Sequence, residues 1–293
     1  MIGTTKSERS EASRLDEDGR RLKSVPERQP HARRFQAYCI GTSKSGTHSI
    51  AEVFGSRYRV AHEPGYEQVI KMILDASSGL ASQSQVAEFV RSRDGQLGLE
   101  LECSHPLFHL LDALLEEFEE AKFILTIRDC YSWLDSQINS HLSYIEGKAW
   151  HDFGEFKYSG ETGRHPDEEQ ILERFGLYTL EGYLGAWASH NNKVLNTVPK
   201  DRLMVVRTQD IAGDMPKLAA FLGVPLEDLI TGKAHSFKGA KKFDLLSKVD
   251  AEYLEGKVNE LCRPLMEEYF PEVKSVAAWR AARKGKAQGV SVG

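Results

Sequence analysis

Short apolar runs recur along the chain, and polar loops and stretches with helical spacing follow them. The runs that predict buried β-strands are residues 37–41, 97–103, 122–127 and 202–207. The helical stretches that follow the last three runs are residues 106–118, 131–141 and 210–222. Strands that alternate with helices indicate an α/β fold, in which helices flank a central parallel sheet and form three layers with it.

Polar and irregular stretches divide the chain into segments. Residues 1–34 have almost no large apolar side chains, so we expect a disordered leader before one domain at 35–270. The stretch 143–166 is rich in Gly, His, Lys and aromatic residues and has no clean period, which is typical of a functional loop or lid. The other predicted segments are a long helical region, an irregular basic stretch, a last helix and a frayed C-terminal tail, at 167–196, 235–243, 247–269 and 271–293.

Composition and charge narrow the class of protein. The 38 basic and 43 acidic residues give a net charge of −5, which argues against a nucleic-acid partner. The four cysteines form no CxxC pair, so we expect neither zinc nor disulfides, and a reducing compartment. No apolar run is long enough for a membrane span, and the N-terminal residues contain no signal-peptide core. The sequence therefore predicts a cytoplasmic protein without a membrane partner.

The stretch from Gly41 to Ser49, Gly-Thr-Ser-Lys-Ser-Gly-Thr-His-Ser, joins the first predicted strand to the helical residues after it. Small residues in such a turn let successive backbone N–H groups face one anion, and the helix N-terminus adds partial positive charge. A nucleoside-triphosphate loop reads GxxxxGK[ST], but here Thr47 follows Gly46 and the lysine comes earlier, at Lys44. We predict a phosphate-binding loop that differs from a kinase loop. The alternative is a turn whose Ser and Thr side chains only cap the helix.

A second candidate for phosphate binding follows the predicted strand at 122–127. Arg128 ends this strand, and Ser136 comes eight residues later in the next predicted helix. An arginine at the carboxyl end of a parallel strand points into the crevice where such folds bind ligands. A guanidinium and a hydroxyl are suited to a second phosphate. The alternative is an arginine that only pairs with Asp129 or Asp135, beside a surface serine.

Together, IGTSKSGTHSI and IRDCYSWLDS resemble the two nucleotide-binding motifs of sulfotransferases that use 3′-phosphoadenosine 5′-phosphosulfate (PAPS). Similar stretches before the arginine and near residues 202–225 extend the resemblance over about residues 37–225. The resemblance implies a P-loop-like fold, PAPS as the donor, adenosine 3′,5′-bisphosphate (PAP) as the product, and no metal. It assigns the 5′-phosphosulfate to the loop and the 3′-phosphate to the arginine motif. The residues implied are Thr42, Ser43, Lys44, Ser45, Gly46, Thr47 and His48 in the loop, and Arg128 and Ser136 in the arginine motif.

The chain departs from the family pattern at several points. His48 stands where a second threonine is frequent, and the arginine motif reads Arg-Asp-Cys where Arg-(Asn/Asp)-Pro is common. The RKGxxGDWKN element of the cytosolic branch is missing, and we interpret the Arg-Lys-Gly at 283–285 as coincidental. We expect SFKGAKK at 236–242 to close over the nucleotide instead. The residues assigned to that contact are Lys238 and Gly239.

Sulfuryl transfer requires a cation at the departing phosphate and a base at the attacking acceptor. Lys44 is the predicted cation. Two candidates for the base stay open. Glu63, in AHEPGYE, follows a further putative strand between the runs at 37–41 and 97–103, where carbohydrate-type members of the resembled family place a catalytic Glu. His105, just past the run at 97–103, matches the catalytic His of the cytosolic branch. One of them could position the acceptor while the other takes the proton, and Glu102 is a third candidate.

Other reactive side chains are interpreted as structural. His105 and His109 are four residues apart but lack the HExxH pattern, so we predict no metal site. Cys103 and Cys130 are interpreted as buried packing residues, and Trp133 as part of the core. The aromatic residues for which both acceptor contact and core packing stay open are Trp150, Phe153 and Phe156.

The sequence thus predicts a PAPS-dependent sulfotransferase with a P-loop-like α/β fold. It would transfer a sulfuryl group in line to a hydroxyl or amine of a small-molecule or sugar acceptor, which the stretch 143–166 selects. The alternatives are an ATP-dependent small-molecule kinase and a non-catalytic nucleotide-binding protein.

Overall fold

A single parallel sheet organises the described part of the chain. The structure, a computed structural model, describes residues 32–143, 147–159, 164–230, 232 and 242–289. The strands among these residues are β1 (Ala37–Cys39), β2 (Val60–His62), β3 (Leu101–Cys103), β4 (Lys122–Ile127) and β5 (Leu203–Arg207). Their order is β2-β3-β1-β4-β5, and every pairing is parallel. The prediction of a parallel sheet is therefore confirmed.

Helices connect the strands and cover the sheet. In chain order they are α1 (Thr47–Phe54), α2 (Tyr66–Ser77), α3 (Gln83–Leu97), α4 (Leu111–Glu117), α5 (Cys130–Ser143), α6 (Lys148–Tyr158), α7 (Gln170–Arg174), α8 (Leu180–Thr197), α9 (Met215–Leu222), α10 (Ala251–Leu261), α11 (Arg263–Tyr269) and α12 (Val276–Gly289). Short 3₁₀ helices lie at His105–Leu110, Asp167–Glu169, Thr208–Asp210, Leu226–Asp228 and Leu245–Lys248. Within the described ranges, no helix has the length and apolar character needed to cross a bilayer.

The two faces of the sheet are both buried, as three layers require. Side chains of a strand alternate between the faces, so Ala37 and Cys39 pack with α1 and α9, whereas Tyr38 and Ile40 pack with α2, α3 and α4. A third apolar cluster joins α5, α7, α8, α10, α11 and α12 around the fully buried Trp187. The three-layer α/β fold predicted from the sequence is confirmed.

The C-terminal half departs from the predicted helix boundaries. The helical region expected at 167–196 is interrupted, because α7 ends at Arg174 and Gly176 takes a φ of +64° that continues no right-handed helix. The frayed tail expected after residue 270 is wrong for α12, whose Trp279 is only 5% exposed. The stretch 143–166 contains α6, which the absence of a clean apolar period had hidden.

Arg33 and Arg34, which the sequence assigned to the end of the leader, contact residues of the domain. Arg33 donates to Asp94 at 2.7 Å, and Arg34 donates to Glu100 at 2.8 Å, so these two arginines are tied to the domain. Residues 1–31, which make up nearly all of the expected leader, lie outside the described residues. The leader therefore stays a prediction.

Candidate active site

The candidate catalytic residues meet at one edge of the sheet. The phosphate-loop candidate follows β1, Glu63 follows β2, His105 lies two residues past β3, and Arg128 follows β4. Parallel strands place their carboxyl ends at the same edge, which is where α/β sheets bind ligands. In the sheet, β3 and β1 lie between β2 and β4. The loop that follows β1 therefore lies between Glu63 and His105 on one side and Arg128 on the other.

The loop after β1 has the backbone shape of an anion cradle. Lys44 and Gly46 adopt left-handed φ values of 64° and 110°, which turn the chain sharply before α1. Gly46 is the N-cap of α1, and no side chain caps the helix at this position. The alternative that Ser and Thr side chains only cap the helix is therefore wrong. A helix N-terminus without a side-chain cap is suited to an anion.

Side chains from neighbouring strands fix the loop in this shape. The Ser45 hydroxyl donates to the Thr42 carbonyl at 2.6 Å and lies 2.7 Å from the Thr126 hydroxyl on β4. Gly41 leaves no room for a larger residue, because an added Cβ would lie 2.0 Å from the Thr126 Oγ1. Ser45 thus shapes the loop through its side chain, and its assigned contact with the donor stays a prediction.

Helix α5 holds the loop from the other side. The Trp133 indole Nε1 donates to the Ser43 carbonyl at 2.8 Å, and the Ser43 hydroxyl donates to Gln137 Oε1 at 2.8 Å. Trp133 is only 1% exposed, so the core role predicted for it is confirmed. The contacts of Trp133 and Gln137 with the loop were missed from the sequence, because nothing in their spacing from Ser43 indicates a contact across 90 residues or more.

The polar groups of the loop fit a phosphate. The Thr42 hydroxyl is buried and has no hydrogen-bond partner among the described residues, as expected of a group that awaits a ligand. Burial lowers the pKa of Lys44 from its usual value, the positive charge of Arg128 lowers it further, and Glu63 opposes both effects. Two cations near one polar loop create a field that favours a polyanion.

Arg128 faces the loop rather than the acids beside it in sequence. Its Nη1 donates to the Lys44 carbonyl at 3.3 Å, while its own carbonyl accepts the Trp187 indole N–H at 3.1 Å. Within the described ranges Arg128 forms no ion pair with Asp129 or Asp135. Burial lowers the pKa of Arg128, although both acids act in the opposite direction. The geometry therefore does not show the alternative in which Arg128 only pairs with Asp129 or Asp135.

Helix α12 brings a further cation to this region. Arg283 Nη1 pairs with Asp135 at 2.9 Å, and the Arg283 charge contributes to the lowered pKa of Arg128. Ser136, half-buried, is the next residue after Asp135, so it lies in the same neighbourhood. The sequence signal for Arg283 was the Arg-Lys-Gly at 283–285, which we had interpreted as coincidental because the rest of the family element is missing.

Glu63 and His105 form a close pair on the other side of the loop. The His105 Nδ1 lies 2.6 Å from Glu63 Oε1, and since a carboxylate only accepts, Nδ1 carries the donated proton. The backbone N–H of Glu63 donates to the Cys103 carbonyl at 3.0 Å, which extends the β2–β3 pairing and fixes the position of the acid. Glu63 adopts a φ of 51°, a strained value for a residue with a side chain. Because Nδ1 of His105 carries the proton that it donates to Glu63, Nε2 is the unprotonated nitrogen of the neutral imidazole.

Burial and mutual contact set the ionisation of this pair. Burial lowers the pKa of His105, and Glu63 only partly offsets that effect. Burial alone would raise the pKa of Glu63, but the charge and hydrogen bond of His105 lower it below its usual value. Both directions favour a neutral imidazole beside an ionised carboxylate at neutral pH. Lys44 also contributes to the lowered pKa of His105, which places all three candidate catalytic residues within electrostatic range of one another.

Two further histidines connect the pair to the loop. The Thr47 hydroxyl lies 3.2 Å from His62 Nε2, and His62 Nδ1 lies 4.0 Å from the Glu63 carboxylate. The His48 ring packs edge-on against the His62 ring at 5.1 Å between centroids. Thr47 and His48 thus lie near the Glu63–His105 pair through His62, a neighbour that the sequence did not point to, and their assigned contacts with the donor stay predictions.

Other candidates have structural roles. Glu102 binds the Arg93 guanidinium through both carboxylate oxygens, at 2.5 and 2.6 Å, and is 4% exposed, so it is not a free base. Cys103 and Cys130 are fully buried, and burial raises the pKa of both thiols, in agreement with packing roles. His109 lies with His105 in a 3₁₀ helix rather than an α-helix, which removes the spacing of a paired metal ligand.

The remaining site predictions lie outside what the structure describes. Lys238 and Gly239 belong to residues 233–241, which are not described. Across the described ranges, no group of three or more His, Cys, Asp or Glu side chains is arranged to hold a metal ion.

Comparison with known proteins identifies the family. The chain matches the family model described as "Sulfotransferase domain" over residues 36–230, about two thirds of its length. The chain therefore belongs to the sulfotransferase domain family, a family of enzymes that transfer sulfuryl groups. The match includes Lys44, Glu63, His105 and Arg128, and it confirms the family predicted from the two motifs.

Individual relatives are more distant. "Ava biosynthesis cluster protein M" of Aspergillus versicolor is 29% identical over 106 residues, which are 34% of this chain and 41% of that protein. The match thus spans less than half the length of this curated relative. A sulfotransferase from Alicyclobacillus acidocaldarius is 16% identical with a TM-score of 0.46, covering 85% of this chain and 100% of that one. The sulfotransferase domain of the curacin biosynthetic pathway is 15% identical with a TM-score of 0.42, covering 79% and 97%.

Proposed function

We propose that this chain is a sulfotransferase that moves the sulfuryl group of PAPS to a hydroxyl or amine of a small-molecule or sugar acceptor. One observation carries the proposal: the Glu63–His105 pair lies beside a phosphate-type loop whose cation is Lys44. A base next to an anion cradle is what the transfer of a charged group to a neutral nucleophile requires.

The donor would occupy the region between the loop and Arg128. Residues 42–48 would surround the 5′-phosphosulfate, and Arg128 with Ser136 would hold the 3′-phosphate. The support is the left-handed backbone at Lys44 and Gly46, a buried Thr42 hydroxyl to which the described residues offer no partner, and an arginine that faces the loop. Contacts from Lys238 and Gly239, and a cytoplasmic location, remain predictions of the sequence.

His105 would act as the base and Glu63 as its positioning residue. The Nδ1–H bond to Glu63 leaves Nε2 as the acceptor for a proton. In the proposed step the acceptor oxygen or nitrogen forms a bond to sulfur, the bond between sulfur and the phosphate oxygen breaks, and the acceptor proton moves to Nε2. PAP leaves with the electron pair of the broken bond.

Lys44 would stabilise the charge that builds on the departing phosphate. This interaction strengthens along the reaction coordinate, because the phosphate oxygen gains negative charge as the bond to sulfur breaks. The N–H groups at the start of α1 would add to it.

Titration calorimetry with PAP, compared with ADP and with ATP plus magnesium, tests the donor. We expect magnesium-independent binding of PAP that Arg128→Ala weakens strongly. A matched control is Arg91→Ala, since Arg91 pairs with Glu88 and Glu117 on the surface away from the site. A clear preference for ATP with magnesium would favour the kinase alternative and overturn the proposal. Binding of PAP without turnover by any acceptor would favour the non-catalytic alternative.

A further inference from the structure

Helix α6 covers the acceptor side of the Glu63–His105 pair. The Trp150 ring stacks on the His105 ring at 5.3 Å and 13°, and it also stacks on Tyr66 at 4.9 Å and 15°. Phe153, one turn further along α6, is buried with its centroid 5.8 Å from that of His105. A molecule that presents a hydroxyl to His105 must therefore approach along the residues of α6.

Lys157 is the cation that α6 contributes here. Its Nζ donates to the Tyr158 hydroxyl at 3.0 Å and lies over the Phe153 and Tyr158 rings, 5.2 and 4.7 Å from their centroids. Within the described ranges no carboxylate lies within ion-pair distance of it. Lys148, at the other end of the same helix, is paired with Asp152 at 2.6 Å. The contacts that the described residues offer this half-buried ammonium are one hydroxyl and two rings, so it retains capacity for an anion.

The positive charge of Lys157 acts on several groups around His105. Burial lowers the pKa of four nearby histidines, and the charge of Lys157 adds to that effect at each of them: His105, His109, His141 and His190. Glu63 also senses Lys157, but its carboxylate already accepts from His105. Because the charges of Lys157 and Lys44 both act on His105, an anionic acceptor would be attracted toward the base from solvent.

The distances suit a single small acceptor. Lys157 and His105 both contact the Phe153 ring, which limits the separation of Nζ from the imidazole centroid to about 11 Å. Since each hydrogen bond spans about 3 Å, one small molecule can reach both groups. The rings of Trp150 and Phe153 lie beside this path and favour an apolar body between the two polar ends.

We propose that Lys157 determines acceptor specificity by binding an anionic group, a carboxylate or a phosphate ester, at the end of the acceptor opposite its hydroxyl or amine. The substrate class is then a hydroxylated or aminated acid with an apolar body, rather than a neutral alcohol or sugar. This inference rests on the proposed sulfotransferase function.

Pairs of acceptors that differ only in charge test the inference. We would titrate hydroxyphenylacetate against hydroxyphenylacetamide, and hexanediol monophosphate against hexanediol, onto the PAP-loaded protein, and measure kcat/KM with PAPS for the same pairs. We expect the anionic member of at least one pair to bind roughly tenfold or more tightly, as a charge-assisted hydrogen bond allows. The pair that shows the preference distinguishes a carboxylate from a phosphate ester.

Three variants locate the preference. Lys157→Gln is expected to remove it, Lys157→Arg to keep it, and Lys148→Gln, which alters an exposed and already paired lysine of α6, to leave it unchanged. Equal or undetectable binding of both members in every pair would overturn the inference. So would a Lys157→Gln variant that slows both members equally, because that result would place Lys157 at the sulfuryl group or in the fold.

The design keeps the two proposals apart. PAP is titrated first without acceptor, and absence of PAP binding would refute the proposed function. The acceptor pairs would in that case be titrated onto the protein alone, where the charge preference and its dependence on Lys157 are still measured.

Discussion

The contact between Glu63 and His105 provides the sharpest test of the proposed mechanism. Replacing Glu63 with Gln removes the carboxylate that fixes the proton on His105 Nδ1 and partly offsets the lowering of the His105 pKa. We therefore expect the pKa of His105 in Glu63→Gln to fall further below its usual value. The amide can either accept from or donate to Nδ1, so the Nδ1–H tautomer also loses its preference.

The size of the effect on turnover follows from the contact. A hydrogen bond to a charged group contributes about 1.5–3 kcal/mol net, which corresponds to roughly a 10- to 150-fold loss of rate for Glu63→Gln. Loss of the base itself in His105→Gln removes about 10²- to 10⁴-fold. Glu63→Gln is therefore expected to be the milder of the two variants.

Imidazole nitrogen NMR of the PAP complex measures tautomer and pKa without any acceptor. The resonance of His105 is assigned by its absence in His105→Gln. Because the base must be neutral, turnover rises with pH through the His105 pKa, and the acid limb lies below the usual value of 6.5. In Glu63→Gln that limb is expected to move to lower pH while the plateau falls.

Three results would refute this reasoning. The first is a wild-type His105 whose proton resides on Nε2. The second is a His105 pKa that rises or stays constant in Glu63→Gln. The third is a greater loss of activity in Glu63→Gln than in His105→Gln, which would make the carboxylate the base.

Three other predictions concern the loop, its cation and acid stability. Gly41→Ala is expected to lower the free energy of unfolding in urea by about 1–3 kcal/mol, because the added Cβ would overlap Thr126. The control Gly95→Ala, in open space on α3, should be neutral or stabilising. Similar effects of both variants would contradict the packing argument. Lys44→Met should lower turnover roughly 100- to 1000-fold, and a loss below tenfold would remove Lys44 from the proposed mechanism. Burial lowers the pKa of His141 from 6.5 to about 4, so only the unfolded chain binds this proton between those values. As the pH falls from 6.5 to 4, His141 should lower the free energy of unfolding by about 1.4 kcal/mol per pH unit. The His141→Gln variant should lose this contribution to the pH dependence, whereas the control variant His151→Gln, at an exposed position, should keep it.

The sequence was most informative at the ends of strands that are followed by residues with a candidate chemical role. The loop after β1 and Arg128 after β4 could be predicted because short apolar runs end directly at polar residues, and parallel strands align those ends. Glu63 and His105 were named through the resemblance to the family, but their 2.6 Å contact was not predicted, since it depends on β2 and β3 being neighbours in the sheet. Strand order is a property of the packed sheet, and two strands separated by two helices carry no local signal for it.

Contacts between residues far apart in the chain could not be predicted from the sequence. Arg283 reaches Asp135 only because Trp279 anchors α12 in the same apolar cluster as α5. That helix begins after an irregular stretch and carries several charges, so its apolar positions alone predicted a frayed end. Lys157 could not be singled out from the sequence for a similar reason. Helix α6 has no clean apolar period, and the role proposed for the Lys157 ammonium depends on the aromatic rings that pack beside it.

The strand order divides the site into two halves with separate tasks. β1 and β4 supply the loop and Arg128, which would bind the donor, while β2 and β3 supply Glu63 and His105, which would act on the acceptor. Because β3 and β1 are neighbours, the two halves share an edge, and the base faces the point where the loop would present the sulfuryl group. Helix α6 contacts the acceptor half through Trp150, which stacks on Tyr66 and His105. The contacts of Lys157 are with Phe153 and Tyr158 of α6 itself, so variants of Lys157 are expected to alter charge preference without altering the affinity for PAP.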